Sequence, residues 1–348
     1  MQLYKKIQNN EVYFIAEMSA NHAGKLDYAL EIVRKAKEAG ADCLKIQTYT
    51  ADTLTLDCDN EYFQIKAGLW KGYKRYDLYK EAYTPWEWQP EIKAECERLG
   101  MDFLSTPFDK TAVDFLEEMG VEFYKIASFE LVDIPLLRYT ASKGKPIILS
   151  CGLASEEEIK EAIEAIESHG NHQIILLKCC SEYPADENDM NLQTIVDMKQ
   201  RFQYPVGLSD HSMGNIADVT GAVLGACVIE KHFCISRAIK NPDSAFSMEP
   251  EEYHKMVENV KRAKVICGTA TYQRSEKEEN SAISRRSIFA RQDIQPGELF
   301  TVENCCVVRP AYGLKPKYFE QLLGKKAVRV IKRGEPLNES DLYGASGD

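Results

Sequence analysis

Between residues 12 and about 265 the chain alternates short β-rich runs with helical patterns, and it does so eight times. The runs are VYFIAEMS (12–19), CLKIQTYT (43–50), DFLSTPF (102–108), FYKIAS (123–128), PIILSCG (146–152), QIILLKC (173–179), VGLSD (206–210) and CVIEKHF (227–233). Between them Leu26, Ala29, Leu30, Val33 and Ala36 recur at helical spacing, and Ser155 with Glu158 forms a capping box opening the helix EEIKEAIEAI. Eight βα units in about 250 residues predict an α/β chain folded as a (β/α)8 TIM barrel. A doubly wound open sheet gives the same alternation and stands as the alternative.

Past residue 265 the pattern breaks. TATYQRSEKEENSAISRRS is polar and charged, which predicts a barrel domain over 1–265, a linker over 266–283 and a small β-rich domain over 284–348. That last segment carries a weak repeat: IQPGELFTVEN (294–304) and IKRGEPLNESD (331–341) share Ile, Gly-Glu and a later acid. A domain of about 60 residues usually needs support from a partner surface. Within the barrel, the long connection over 51–84 carries Tyr62, Phe63, Trp70, Tyr73, Tyr76 and Tyr79. It reads either as a lid over a site or as a short extra helix packed on the barrel rim.

The formal net charge of −11 argues against general attraction to nucleic acid or to anionic membrane surfaces. No stretch reaches the roughly 18 to 20 apolar residues of a membrane span, and MQLYKKIQNNEVYF lacks an apolar signal core, so the expected location is cytoplasmic. Several of the eleven cysteines, Cys43, Cys151, Cys179 and Cys227 among them, sit inside apolar runs, and no CxxC pair occurs. They read as reduced packing residues.

In a (β/α)8 barrel the C-terminal ends of the strands form the active-site face. Here those ends are polar in all eight runs: Glu17; Lys45, Gln47 and Thr48; Ser105 and Thr106; Lys125, Ser128 and Glu130; Ser150; Lys178 and Ser181; Ser209 and His211; Glu230 and His232. A single such lysine usually snorkels to water and a single serine often caps the next helix, but repetition around a ring calls for an anion. Lys45, Lys125 and Lys178 with Ser128, Ser150 and Ser209 suit a phosphate plus a carboxylate. With no Walker loop and no GxGxxG motif, that site has to be assembled from side chains across strands. His211 and His232 share strand parity with Ser209 and Glu230, so both imidazoles can face the mouth as an open divalent-metal site or act as hydrogen-bonded structural histidines.

AEMSANHAG, KIQT, STPF, YKIAS with Glu130, PIILSCG, Tyr183-Pro184, GLSDH, EKHF and VVRPAYGL together resemble the sialic acid synthase family along essentially the whole chain. Members condense phosphoenolpyruvate with an amino-sugar aldehyde to give nine-carbon 2-keto acids, and their small C-terminal domain is similar to antifreeze proteins (a SAF domain). KIQTYT, LKCCSEYP and AGLW resemble the pseudaminic acid synthases more than the N-acetylneuraminate synthases. The resemblance implies phosphoenolpyruvate held by Lys45, Thr106, Lys125, Ser128, Ser150, Ser181 and Ser209. It implies a divalent ion, Mn2+ before Mg2+ or Co2+, on His211 and His232, and catalytic carboxylates in Glu17 and Glu130, with Glu17 directing the water. Gln47, Tyr183 and Asp243 would hold the sugar, and Arg309 would reach it from the neighbouring subunit of a domain-swapped homodimer. Asn21 and His22 need do no more than shape the turn before Gly24.

Two rival functions fit the same barrel. A Schiff-base aldolase would use Lys125 or Lys178 and no metal. A non-catalytic sugar-binding protein would keep the fold but have no need of Glu17, Glu130, His211 and His232 together.

Overall fold

The computed structural model describes residues 2–342, which form two units that meet between residues 268 and 269. In the first, eight strands follow the expected runs, seven of them with shorter bounds and β7 with the same ones: β1 Tyr13–Glu17, β2 Cys43–Thr48, β3 Asp102–Pro107, β4 Tyr124–Ile126, β5 Ile147–Ser150, β6 Ile174–Cys179, β7 Val206–Asp210 and β8 Val228–His232. They pair in parallel in the order β3-β2-β1-β8-β7-β6-β5-β4. The two ends of that order, β3 and β4, lie side by side and complete the ring. The open doubly wound sheet is thereby excluded.

Successive strand residues point to opposite faces, and the burial pattern separates two cores. Tyr13, Ile15, Cys43, Leu104, Phe123, Ile148, Ile175, Leu177 and Val228 fill the barrel interior, with Leu3 of the N-terminal helix Gln2–Gln8 joining them. The alternate residues, such as Phe14, Leu44, Tyr124, Leu149, Leu176 and Ile229, pack outward against the helices. The helix Leu26–Ala39 buries Ala29, Ile32, Val33 and Ala36 in that outer layer and stops at Gly40, whose φ of 98° favours glycine. Ser155 and Glu158 make the expected capping box on Glu156–Glu167.

The connection over 51–84 contains short helices, as the second of the two expected readings has it. It holds the helices Ala51–Leu54 and Arg75–Ala82, between which a bridge from Gln64 to Lys74 closes a hairpin around Trp70. Tyr62 is exposed, whereas Trp70 donates its indole N–H to the Pro242 carbonyl at 2.9 Å.

In the second unit the helix Glu276–Ala282 precedes a compact, turn-rich fold with one antiparallel pair, β9 Ser287–Ala290 and β10 Cys305–Val308. The two sequence repeats have matching local structures. Ile294 and Ile331 exchange backbone hydrogen bonds of 2.8 and 3.0 Å. Gly297 and Gly334 have φ of 82° and 83°. Gln295 N–H donates to Glu298 at 2.8 Å as Lys332 N–H donates to Glu335 at 2.9 Å, and Thr301 N–H donates to Asn304 as Asn338 N–H donates to Asp341, both at 2.8 Å. Among the described residues, no helix is long and apolar enough to cross a membrane.

Candidate active site

Strand parity assembles the site. The residues that continue the interior rows toward the C-terminal mouth are Glu17, Lys45, Gln47, Thr106, Lys125, Ser150, Cys179, Ser209, His211, Glu230 and His232, and all but Gln47 are buried. At their centre is a four-charge cluster: Lys45 Nζ lies 2.9 Å from Glu17 Oε2 and 3.3 Å from Glu230 Oε1, and Lys125 Nζ lies 3.7 Å from Glu230 Oε1. Lys125 also donates to Ser150 Oγ at 2.7 Å, Lys45 lies 3.5 Å from Thr106 Oγ1, and Ser209 Oγ donates to Glu230 at 3.3 Å.

The environment sets the charges. Burial lowers the pKa of Lys125, and Glu230 only partly offsets this; at Lys45 the same burial is outweighed by Glu17 and Glu230, which raise its pKa. Burial raises Glu17, with Lys45 opposing, whereas at Glu230 the cations Lys125, Lys45 and His211 outweigh burial and lower it. Glu130, on the turn Ser128–Glu130, is pushed up to about 7 by burial. One carboxylate is thus held firmly ionised and two are held readier to take a proton.

Above β4, β5 and β6, Ser128 Oγ accepts from Gly152 N–H at 3.1 Å. A Cβ at Gly152 would stand 2.2 Å from Ser181 Oγ and 2.7 Å from Ser128 Oγ, so only glycine leaves these hydroxyls room. Above β1 and β2, Gln47 Nε2 donates to Glu17 at 2.8 Å and to Ser19 Oγ at 3.0 Å, and Ser19 hydrogen-bonds the buried Asp243. Tyr183 lies 4.3 Å from the ring of His211 and 5.6 Å from that of Trp70.

The two imidazole centroids are 5.4 Å apart. His211 Nδ1 donates to the Cys180 carbonyl at 2.9 Å, so that Nε2 carries a lone pair in the neutral form. Burial lowers its pKa, but Cys179 and that carbonyl outweigh burial and raise it, so a bound cation would have to displace its second proton, while His232 Nδ1 is buried without a partner. Burial, reinforced by His211 and Lys45, drives the His232 pKa well below the usual imidazole range and so keeps the neutral, ligating form. These nitrogens fit a divalent ion. Among the described residues no group of three or more His, Cys, Asp or Glu side chains forms a metal cluster, so water or substrate oxygens would have to complete the shell.

Two sequence expectations need correction or location. Lys178 does not join the anion site: it shares the outward parity of Ile174 and Leu176, and its Nζ donates to the Cys179 carbonyl at 3.1 Å. Arg309 belongs to the second unit, where it is exposed. Asn21 and His22 are structural: Asn21 donates to Ser247 at 2.8 Å, and His22 Nδ1 accepts from Gly24 N–H at 3.1 Å. Sequence reasoning placed Glu230 at the strand-end mouth by its parity with His232 but gave it no role, and it gave none to Gly152 or Ser19.

Comparison with known proteins gives the family of the chain. The model of the NeuB family matches residues 32–272, and that of the SAF domain matches residues 285–342. The chain belongs to the NeuB family. It is 45% identical to the pseudaminic acid synthase of Campylobacter jejuni over 98% of this chain and 99% of that one. It is 34% identical to the N,N'-diacetyllegionaminic acid synthase of Legionella pneumophila over 93% of each chain. Among solved structures, the N-acetylneuraminic acid synthetase of Leptospira borgpetersenii in complex with citrate is 33% identical, with a TM-score of 0.70 over 78% of this chain and 90% of that one.

Proposed function

We propose that this NeuB-family enzyme is a pseudaminic acid synthase. It condenses phosphoenolpyruvate with an open-chain 2,4-diacetamido-2,4,6-trideoxy hexose and water, giving the nonulosonate and phosphate. The observation that carries this reading is the buried pair Lys45 and Lys125, ringed by Thr106, Ser150 and Ser209 and opposed by Glu17 and Glu230. Such a pair matches a small, multiply charged anion. The higher identity to the pseudaminic than to the legionaminic enzyme supports the choice of sugar.

In this reading Lys45 and Lys125 hold phosphoenolpyruvate, while Ser128, Ser181 and the Gly152 turn cradle its anionic end. Gln47, Tyr183 and Asp243 orient the sugar so that its aldehyde carbon meets the phosphoenolpyruvate methylene carbon. His211 and His232 would hold a divalent ion, with Mn2+ preferred over Mg2+ or Co2+, and when bound it would supply Lewis-acid polarisation of the aldehyde oxygen. As the carbon–carbon bond forms, positive charge develops at C2 of the enol ether. Glu17 stabilises that charge and takes a proton from the water that adds there, and the alkoxide left on the former aldehyde carbon takes up a proton to become a hydroxyl. The C2–O bond to phosphate breaks as the new C2 hydroxyl gives up its proton and becomes the ketone. Glu130, poised near neutrality, exchanges a proton beside the departing phosphate.

The site is completed by a second copy of the chain, whose small domain presents Arg309 to the sugar in a domain-swapped dimer. Exposed Phe129, Leu153 and Met213, in the connections after β4, β5 and β7, with Ile216 at the start of the helix that follows β7, give the mouth an apolar rim suited to such a cover. The deciding assay measures phosphate release from phosphoenolpyruvate with Mn2+ and a panel of acetamido and diacetamido hexoses. Release with N-acetylmannosamine but not with the 6-deoxy-diacetamido altrose would overturn the pseudaminate assignment. For the dimer, a chain ending near residue 280 is expected to lose activity; full activity as a monomer would refute the swap.

A further inference from the structure

The residue before each of the two histidines takes part in a second, separate cluster. Asp210 and Lys231 are register partners on β7 and β8, one step before His211 and His232. Because strand residues alternate in direction, the histidines face the mouth while Asp210 and Lys231 face away from it, under the helix Ile216–Val223. Lys231 is 1% exposed and Asp210 is also 1% exposed.

There the ammonium has a full set of acceptors. Lys231 Nζ donates to Asp210 Oδ2, to the Ser212 carbonyl at 2.7 Å and to the Gly214 carbonyl at 3.1 Å, with Asp218 Oδ2 3.6 Å away. Asp210 Oδ1 in turn accepts from Ser212 N–H at 2.8 Å. One side chain of β8 therefore gathers the turn over 210–214, and His211 lies within that turn. The backbone is held on the mouth side as well: the His211 carbonyl accepts from Ala185 N–H at 3.0 Å, and the His232 carbonyl accepts from Met248 N–H at 2.8 Å.

We infer that the Lys231–Asp210 clamp is the positioning device that fixes the separation of His211 and His232, so that Lys231 tunes metal affinity without touching the metal. A buried ion pair adds little net stability, because desolvation offsets attraction, whereas its directional bonds specify one arrangement. Partners behind metal ligands are worth about 10- to 100-fold in metal affinity. The inference rests on His211 and His232 being the metal ligands, and its test separates the two ideas.

Mn2+ binding to the full-length protein is measured by titration calorimetry, and folding by circular dichroism and melting temperature, for four proteins. These are the parent, His232→Ala, Lys231→Met with Asp210→Asn, and Asp210→Asn alone. The double variant is expected to remain folded and to bind Mn2+ about 10- to 100-fold more weakly, with turnover recovering as Mn2+ is raised. If it does not fold, Asp210→Asn, which keeps an acceptor in place, is read by the same criterion. A folded variant with the parent's Mn2+ affinity overturns the clamp, even if its melting temperature falls. If instead His232→Ala binds Mn2+ as well as the parent, the metal assignment itself fails.

Discussion

Replacing Glu230 with glutamine keeps the shape of the site and removes one of its two central anions. Two ammonium groups 3.3 and 3.7 Å from Glu230 then lose a counter-charge. At an effective dielectric constant of about 20 each of those attractions is about 5 kcal/mol before desolvation. Removing one partner of a buried pair typically leaves a net loss of about 3 to 5 kcal/mol. For a unit the size of this barrel, that corresponds to a fall of about 6 °C or more in melting temperature. Phosphoenolpyruvate supplies the missing negative charge, so the gain in melting temperature on adding it should be larger for Glu230→Gln than for the parent. Differential scanning fluorimetry with and without phosphoenolpyruvate reads both quantities. A variant that melts with the parent, or gains no more from phosphoenolpyruvate than the parent does, would refute the view that Glu230 holds the lysines in wait for an anion.

With both substrates at saturating concentration, Glu17→Gln should lose about 10²- to 10⁴-fold in turnover, as measured by single-turnover phosphate release; unchanged turnover removes its catalytic role. Gly152→Ala should raise the KM for phosphoenolpyruvate far more than that for the sugar, because its methyl group enters the space between Ser128 and Ser181; steady-state kinetics decides. Glu130 has a folded pKa of about 7, raised from its usual value of 4.5. The folded state therefore holds the proton more tightly than the unfolded chain, and stability is lost as pH rises from about 4.5 through about 7. Denaturant unfolding of Glu130→Gln should then show a gain of about 3 kcal/mol over the parent at pH 8 and little gain at pH 5. An equal difference at both values would show that Glu130 is not held in this way.

Much of this site was legible because a strand encodes orientation in parity. Lys45, Lys125, Ser150, Ser209, His211 and His232 could be placed on one face from spacing alone, and the structure brings them together. Lys178 misled because chemistry was read there without parity: it falls one residue out of phase with Leu177 and Cys179, which face inward. Glu230 was underrated for another reason. Its two cations come from β2 and β4, more than a hundred residues away in sequence, and no local pattern announces such a meeting. Trp70 lay in a connection with no clear period, so its docking onto Pro242 depended on tertiary contacts that only the fold supplies.

The paired repeats of the small unit have an evolutionary consequence. Each half places its leading isoleucine against the other's, and each uses its own side-chain acceptors, Glu298 and Asn304 in one and Glu335 and Asp341 in the other, to hold its own turns. The first half is also tied to the segment between the halves, residues 305–330: Gly297 N–H donates to the Ala327 carbonyl at 2.7 Å and Ala327 N–H to the Glu298 carbonyl at 2.8 Å. A Cβ at Gly313 would stand 2.6 Å from the Ile288 carbonyl oxygen, so the room for variation there lies at the exposed positions. Arg309 lies in that stretch. A module built in this way can change what it offers to another surface by ordinary point substitutions, without redrawing the fold that presents them.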